Sequence, residues 1–161
     1  MRPKQIAQLV PKPNDLDYVE HFQTLSTVNL EIRRHGPSAD RLVRKAILEL
    51  DVGNFSASLT AAQDAAVLEP SNPETHHLVG MAYLMLALVK SGALPSGPGL
   101  HASPSESVTA LVLHGSDSFR EASRLNPGDE ESQADFEALK SLLRRMPSDE
   151  ELSTALRDGL R

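Results

Sequence analysis

The sequence predicts an all-α protein, and three observations carry that prediction. No segment shows the sustained apolar–polar alternation of a half-buried strand. Apolar residues recur instead at helical spacing in about seven windows, each set off by helix start or stop signals. And one helix ending is written twice. AAQDAAVLEPSNPE at 61–74 is echoed by SFREASRLNPGDEE at 118–131, with Ala65/Ala122, Leu68/Leu125, Pro70/Pro127 and Glu74/Glu131 identical and Asn72 matched by Asp129.

Residues 1–14 hold three prolines and no periodic stripe, which reads as an extended arm. A first helix starts at Asn14 or Asp15, carries Tyr18, Phe22, Leu25 and Ile32 as its apolar stripe, and ends in Arg33, Arg34 and His35 before Gly36 and Pro37. Cations in a last turn followed by Gly and Pro form a stop signal. Ser38 caps a second helix to about residue 51 that buries Leu42, Ala46, Ile47 and Leu50. Gly53 or Asn54 supplies the turn. The third helix, over 56–69, presents Ala57, Ala61, Ala62, Ala65 and Ala66, small enough for a neighbour to approach closely. Asn72 and Pro73 then open a fourth helix to about residue 91, as N-cap and first helical residue. The stretch 92–103 (GALPSGPGLHAS) is loop, and Ser103 with Glu106 has the spacing of a capping box that starts a fifth helix to about residue 125. Asp129 begins a sixth helix through residue 145, with Phe136, Leu139, Leu142 and Leu143 inward. Ser148 and Glu151 form a second capping box, opening a last helix with Leu152, Leu156 and Leu160.

Composition narrows the function. The 161 residues suit one domain with a usable core, at 40% apolar and 24% charged. A formal charge of -6 argues against nucleic acid, which needs clustered Lys and Arg. The absence of Cys removes disulfides, thiolate nucleophiles and Cys-ligated zinc together, and fits a reducing compartment. The opening MRPKQIAQLVPKPNDLD lacks the apolar run of a signal peptide, and the longest charge-free apolar stretch, 78–89, falls short of the ~20 residues of a membrane span. A cytoplasmic protein is expected.

A helix ending Ala-x-x-Leu-x-Pro-x-Asn/Asp, followed at once by another helix, punctuates a junction between helical hairpins. In this the sequence resembles the tetratricopeptide repeat, a 34-residue helix–turn–helix unit. Aligned on Pro70, the resemblance puts Leu42 and Ala46 on the first helix of a unit, Gly53 and Phe55 at its turn, and Ala62, Ala65 and Pro70 on its second helix. Ser58 stands where the family usually has Ala, and Glu49 where an aromatic is usual. In the next unit Gly80 and Tyr83 fall on the small and aromatic positions of the first helix, and Phe119, Ala122 and Pro127 on the second. What the resemblance implies is a single domain over 15–161, in a short right-handed superhelix. It comprises a helix at 15–36, a first repeat at 39–72, a second at 73–128 and capping helices at 129–161. Since Pro70 and Pro127 lie 57 residues apart, the second hairpin is overgrown by about 23 residues between Tyr83 and Phe119. Its tip should stand roughly 8–12 Å beyond its neighbours.

That tip is apolar nearly all round: Leu84, Met85, Leu86, Leu88 and Val89 on one helix, Val108, Leu111, Val112 and Leu113 on the other. Such a surface is expected to be buried, either under the first helix or under another molecule. Four such side chains are worth on the order of 6–10 kcal/mol, enough to hold a partner. The resemblance also implies a concave face lined by the first helix of each unit, here Val43, Ile47 and Leu50 with His77, Met81 and Leu84. Family members that grip acidic heat-shock tails use Lys, Arg and Asn at such positions. Only Arg44 and Lys45 lie close here, out of phase, so an amphipathic helix or apolar segment is the expected ligand, unless residues 15–35 fill the groove. The expected partner-binding set is therefore Val43, Ile47, Leu50, His77, Met81, Leu84, Leu88, Val108, Leu111 and Val112. The expected role is a non-enzymatic adaptor, scaffold or co-chaperone-type module, with a homodimer through the apolar hairpin as the alternative.

Chemical signals are sparse. His76 and His77 adjoin, but helical neighbours point about 100° apart, and the i+4 positions Gly80 and Met81 offer no further ligand. His114 or His101 would have to approach across the hairpin. There is no G-x-S-x-G and no phosphate loop. No catalytic residue, cofactor or metal is expected.

Overall fold

The computed structural model describes residues 15–94 and 105–159, with side chains from residue 19 onward. Among these residues lie seven helices and no strand: α1 (Asp15–His35), α2 (Ala39–Asp51), α3 (Phe55–Leu68), α4 (Pro73–Lys90), α5 (Val108–Leu125), α6 (Glu130–Arg145) and α7 (Asp149–Gly159). The arm at 1–14, the loop residues 95–104 with His101, and Leu160 lie outside the described residues, as does the Tyr18 side chain. Each of the first five helices packs on the next, α2 also touches α4, and α7 packs back on α5 and α4. None is long and apolar enough to cross a membrane.

The twice-written helix ending performs one structural task in both places. Ala65 and Ala122 are fully buried, and their carbonyls accept the last helical N–H, from Glu69 at 2.9 Å and from Asn126 at 3.0 Å. Beyond each proline the chain turns identically: Asn72 N–H bonds Glu69 O at 3.1 Å, and Asp129 N–H bonds Asn126 O at 3.0 Å. Asn72 and Asp129 then cap α4 and α6, their side chains accepting from Glu74 N and Ser132 N, both at 3.0 Å. Pro73 sits at the start of α4, where its missing N–H costs nothing.

Within the first hairpin, Gly53 takes φ +82 and closes the turn from α2 to α3, a conformation that suits only glycine without strain. Ala61, Ala62 and Ala65 let α3 lie close to its neighbours. Ser58 in place of Ala is accommodated because its hydroxyl donates to Ala46 O at 2.7 Å, between the two helices.

The second hairpin is longer, as expected. α4 has 18 residues against 13 in α2, and α5 has 18 against 14 in α3, an extension of about 6–8 Å that falls short of the 8–12 Å expected because α5 starts only at Val108. Its helices meet at two glycines. A Cβ on Gly115 would lie 3.3 Å from Gly80 O, and one on Gly80 would lie 2.8 Å from the fully buried Phe119 ring. The start of α5 corrects the expectation of a cap at Ser103. The helix begins at Val108, with Ser107 Oγ accepting from Ala110 N at 3.1 Å. Glu106 is used differently, its carboxylate facing His114 Nε2 at 3.4 Å.

Most of the apolar tip is covered by α7 rather than by α1, while Leu113 stays 48% exposed. Leu152 and Leu156, one turn apart, are fully buried in the same core as Leu84, Leu88, Val108, Leu111 and Val112. Polar contacts fasten both ends. Asp149 Oδ1 accepts from the N–H and hydroxyl of Thr109 on α5, at 2.8 and 3.1 Å, and Arg157 Nη1 donates to Ser91 O at the end of α4, at 2.7 Å. The Ser148–Glu151 capping box forms as expected, with reciprocal bonds of 3.2 Å. α1 packs along α2, burying Leu25 and Val28. Phe22, expected on that stripe, is 47% exposed because it falls at the edge of the arc through 25, 28 and 32.

Candidate functional site

The structure divides the ten expected partner-binding residues into two groups. Leu84, Leu88, Val108, Leu111 and Val112 are buried to within 2% of completely, so α7 and the hairpin itself already supply the cover the sequence leaves open. Those positions face the core rather than a partner. The other five lie on α2 and α4, the first helices of the two hairpins. Val43 and Leu50 are buried, Ile47 between them is 37% exposed, and His77 and Met81 on α4 are half-buried. Ile47 and Met81 are thus the apolar surface that this part of the chain leaves within reach of a ligand.

His77 leads to a second feature. It lies on the first turns of α4, and its ring meets the edge of Phe119 at a centroid distance of 5.3 Å. Its Nδ1 lies 2.8 Å from Ser132 Oγ on α6, and that hydroxyl is 2.6 Å from Asp129 Oδ2. Hydrogen bonds from the Ser132 hydroxyl and backbone N–H hold the Asp129 carboxyl below its ordinary range, so it is an ionised group that can only accept. The one Ser132 proton therefore goes to Asp129, and Ser132 Oγ accepts from His77 Nδ1–H. This is a serine, a histidine and an aspartate without the logic of a nucleophilic triad. The imidazole nitrogen facing the serine already carries a proton and cannot take another from it.

Asp135, on the inner side of α6, is 8% exposed, and its Oδ2 has no hydrogen-bond partner. Burial, followed by the nearby Glu131 and Asp129 carboxylates, pushes its pKa from 3.8 up to about 6. A ring nitrogen of His77 and one oxygen each from Glu131 and Asp135 lie within 4.8 Å of one another. A shallow pocket of about 230 Å³, lined by Pro73, Glu74, His77, Asn126, Asp129 and Glu131, opens beside them.

Two further histidines are engaged elsewhere. His76 Nε2 lies 2.8 Å from Pro70 O, a carbonyl that can only accept, so the ring donates to the turn before α4. His114 stacks at a tilt on Tyr83, 5.2 Å between centroids, while facing Glu106. Neither Ser132 nor Asp135 is marked by the sequence patterns above, and Asp129 reads there only as the start of a helix. A signal for Asp135 was present. In the register set by Pro70 and Pro127, it occupies the place of Leu78, a buried core residue in the earlier copy.

Because the folded-state pKa of Asp135 lies above its unfolded value, the folded chain holds that proton more tightly. The associated stability is full at low pH and is lost as pH rises through about 6. Asp135→Asn is expected to raise metal-free stability at pH 7.5 by on the order of 2–3 kcal/mol, and to change little below pH 4. Urea unfolding at both values, in a chelator, checks this.

Comparison with protein-family models, with curated proteins and with solved structures returned no match.

Proposed function

We propose that the chain is a non-enzymatic protein–protein interaction module of adaptor, scaffold or co-chaperone type, built on tetratricopeptide-like hairpins, which takes an apolar helix or peptide segment along α2 and α4. The observation that carries this reading is the exposure of Ile47 between two buried residues of its own helix face, with half-buried Met81 on the helix that α2 touches. A β-branched residue at 37% exposure and a half-buried, adaptable Met give a small apolar floor that a ligand side chain can cover. The repeated hairpin junctions favour the same reading, because stacked hairpins present their first helices as one surface.

The binding set is accordingly narrower than the sequence implies: Ile47 and Met81 with half-buried His77 beside them, without the buried Val43 and Leu50 and without the hairpin tip. A homodimer through that tip would first have to displace α7.

Ile47→Asp and Met81→Asp are each expected to weaken binding of an amphipathic helical peptide by about tenfold or more, since each places a charge in an apolar contact. Both are expected to leave the midpoint of thermal unfolding within a few degrees of wild type. Fluorescence polarisation against a panel of labelled helical peptides reads the effect. A panel peptide held equally by wild type and both variants contradicts the groove assignment.

A further inference from the structure

The cluster between α4 and α6 carries more negative charge than its protein neighbours neutralise. Glu131 and Asp135 lie at i and i+4 on α6 and so share one side of that helix. α4 brings His77 to them, so that three potential ligand atoms fall within 4.8 Å. The most buried of the three, Asp135, has a carboxylate oxygen with no partner. A fold tolerates a buried, unpaired carboxylate poorly unless a cation meets it. In the earlier copy of the repeat this same place is filled by Leu78, which shows that an apolar side chain serves the packing.

We propose that His77, Glu131 and Asp135 form a binding site for a divalent first-row transition cation of the zinc class, tying the start of α6 to the start of α4.

The donor set selects that class. An imidazole with two carboxylates suits zinc, cobalt and their neighbours, whereas calcium and magnesium favour all-oxygen shells and copper(I) favours sulfur. The surrounding bonds prepare the imidazole. Ser132 Oγ–H donates to Asp129 and Ser132 Oγ accepts from His77 Nδ1–H, so Nε2 is the ring nitrogen left to ligate a cation. A histidine ligand held through its other nitrogen by a hydroxyl and a carboxylate is the usual outer shell of a metal-binding imidazole. The edge of Phe119 fixes the ring plane from the other side. Ligands about 2.1 Å from a tetrahedral ion stand about 3.4 Å apart, so a spread of up to 4.8 Å has to close. Glu131, exposed and on a flexible stem, is the group free to do so. The adjoining pocket gives an ion entry and leaves room for water as a fourth ligand.

Chelator-stripped full-length protein titrated with zinc chloride by calorimetry tests the site, with cobalt(II) absorbance as a report on geometry. One zinc ion per chain is expected, with visible cobalt bands of a tetrahedral or five-coordinate site and a higher thermal midpoint with zinc. Asp135→Asn and His77→Gln should each weaken zinc at least about tenfold. Ser132→Ala, which removes the hold on the imidazole together with the bond to Asp129, should weaken it about 10–100-fold. His76→Gln, whose ring serves Pro70, and Ile47→Asp, on the groove, should leave affinity unchanged. Absence of stoichiometric binding by folded wild type overturns the proposal. So does affinity that survives both Asp135→Asn and His77→Gln in chains with wild-type circular dichroism, or that falls equally in His76→Gln.

Discussion

Leu152→Asp combined with Leu156→Asp should detach α7 and leave the apolar hairpin uncovered. Both leucines are fully buried, and a carboxylate cannot replace either without desolvation that nothing nearby offsets. The helix will leave the core rather than bury two charges. The loss includes the transfer energy of two leucine side chains and the exposure of the surface beneath them, on the order of 4–8 kcal/mol. That is comparable to the whole stability of an ordinary domain. The expected signs are a much lower urea midpoint, binding of a hydrophobic dye, and association that grows with concentration. The freed hairpin would become the self-associating surface that its sequence leads one to expect. A double variant that stays as stable and as monodisperse as wild type would mean that α7 is not the seal.

The second large effect is at the crossing of α4 and α5. Gly80→Ala ought to stabilise an ordinary helix by about 1 kcal/mol, because alanine gives up less backbone freedom. Here its Cβ would lie 2.8 Å from a ring carbon of Phe119, which is fully buried. Overpacking of this kind costs about 1–3 kcal/mol and more when the backbone must shift, so a net destabilisation is expected. Truncating the ring should reverse the sign. In a Phe119→Leu background, Gly80→Ala is expected to be neutral or stabilising, and urea unfolding of the four chains measures the coupling. Equal effects of Gly80→Ala in both backgrounds would show that the ring does not set the glycine requirement.

Local features of this chain are legible in the sequence because they depend on residues close together. The caps at Ser38, Asn72, Asp129 and Ser148, the turn at Gly53 and the two proline junctions all form as the residues indicate. Ser103 with Glu106 shows the limit of such a motif. Ser107 offers the same hydroxyl nearer the helix, and Asp149 from α7 supports the first turn of α5 through Thr109. The length of the second hairpin was readable from the interval between prolines. Its cover was not. Periodicity marks Leu84 and Leu111 on one side and Leu152 and Leu156 on the other as needing burial, but it does not say which faces meet across the chain. The polar cluster was hidden for a similar reason: Glu131 and Asp135 read as surface charges on α6 until α4 is laid against them. Only the register with Leu78 distinguishes Asp135 in advance.

The central structural claim is that the apolar core of the hairpin is closed by its own chain, through α7. Hydrogen exchange on the wild-type protein tests it most directly, read at amides 84–89 and 152–156 across a denaturant series. Both segments are expected to be slow and to open together with one denaturant dependence, as parts of a single cooperative unit. Exchange of 152–156 at the rate of an unstructured chain, while 84–89 stays protected, would contradict the claim and return the hairpin to the list of partner-binding surfaces.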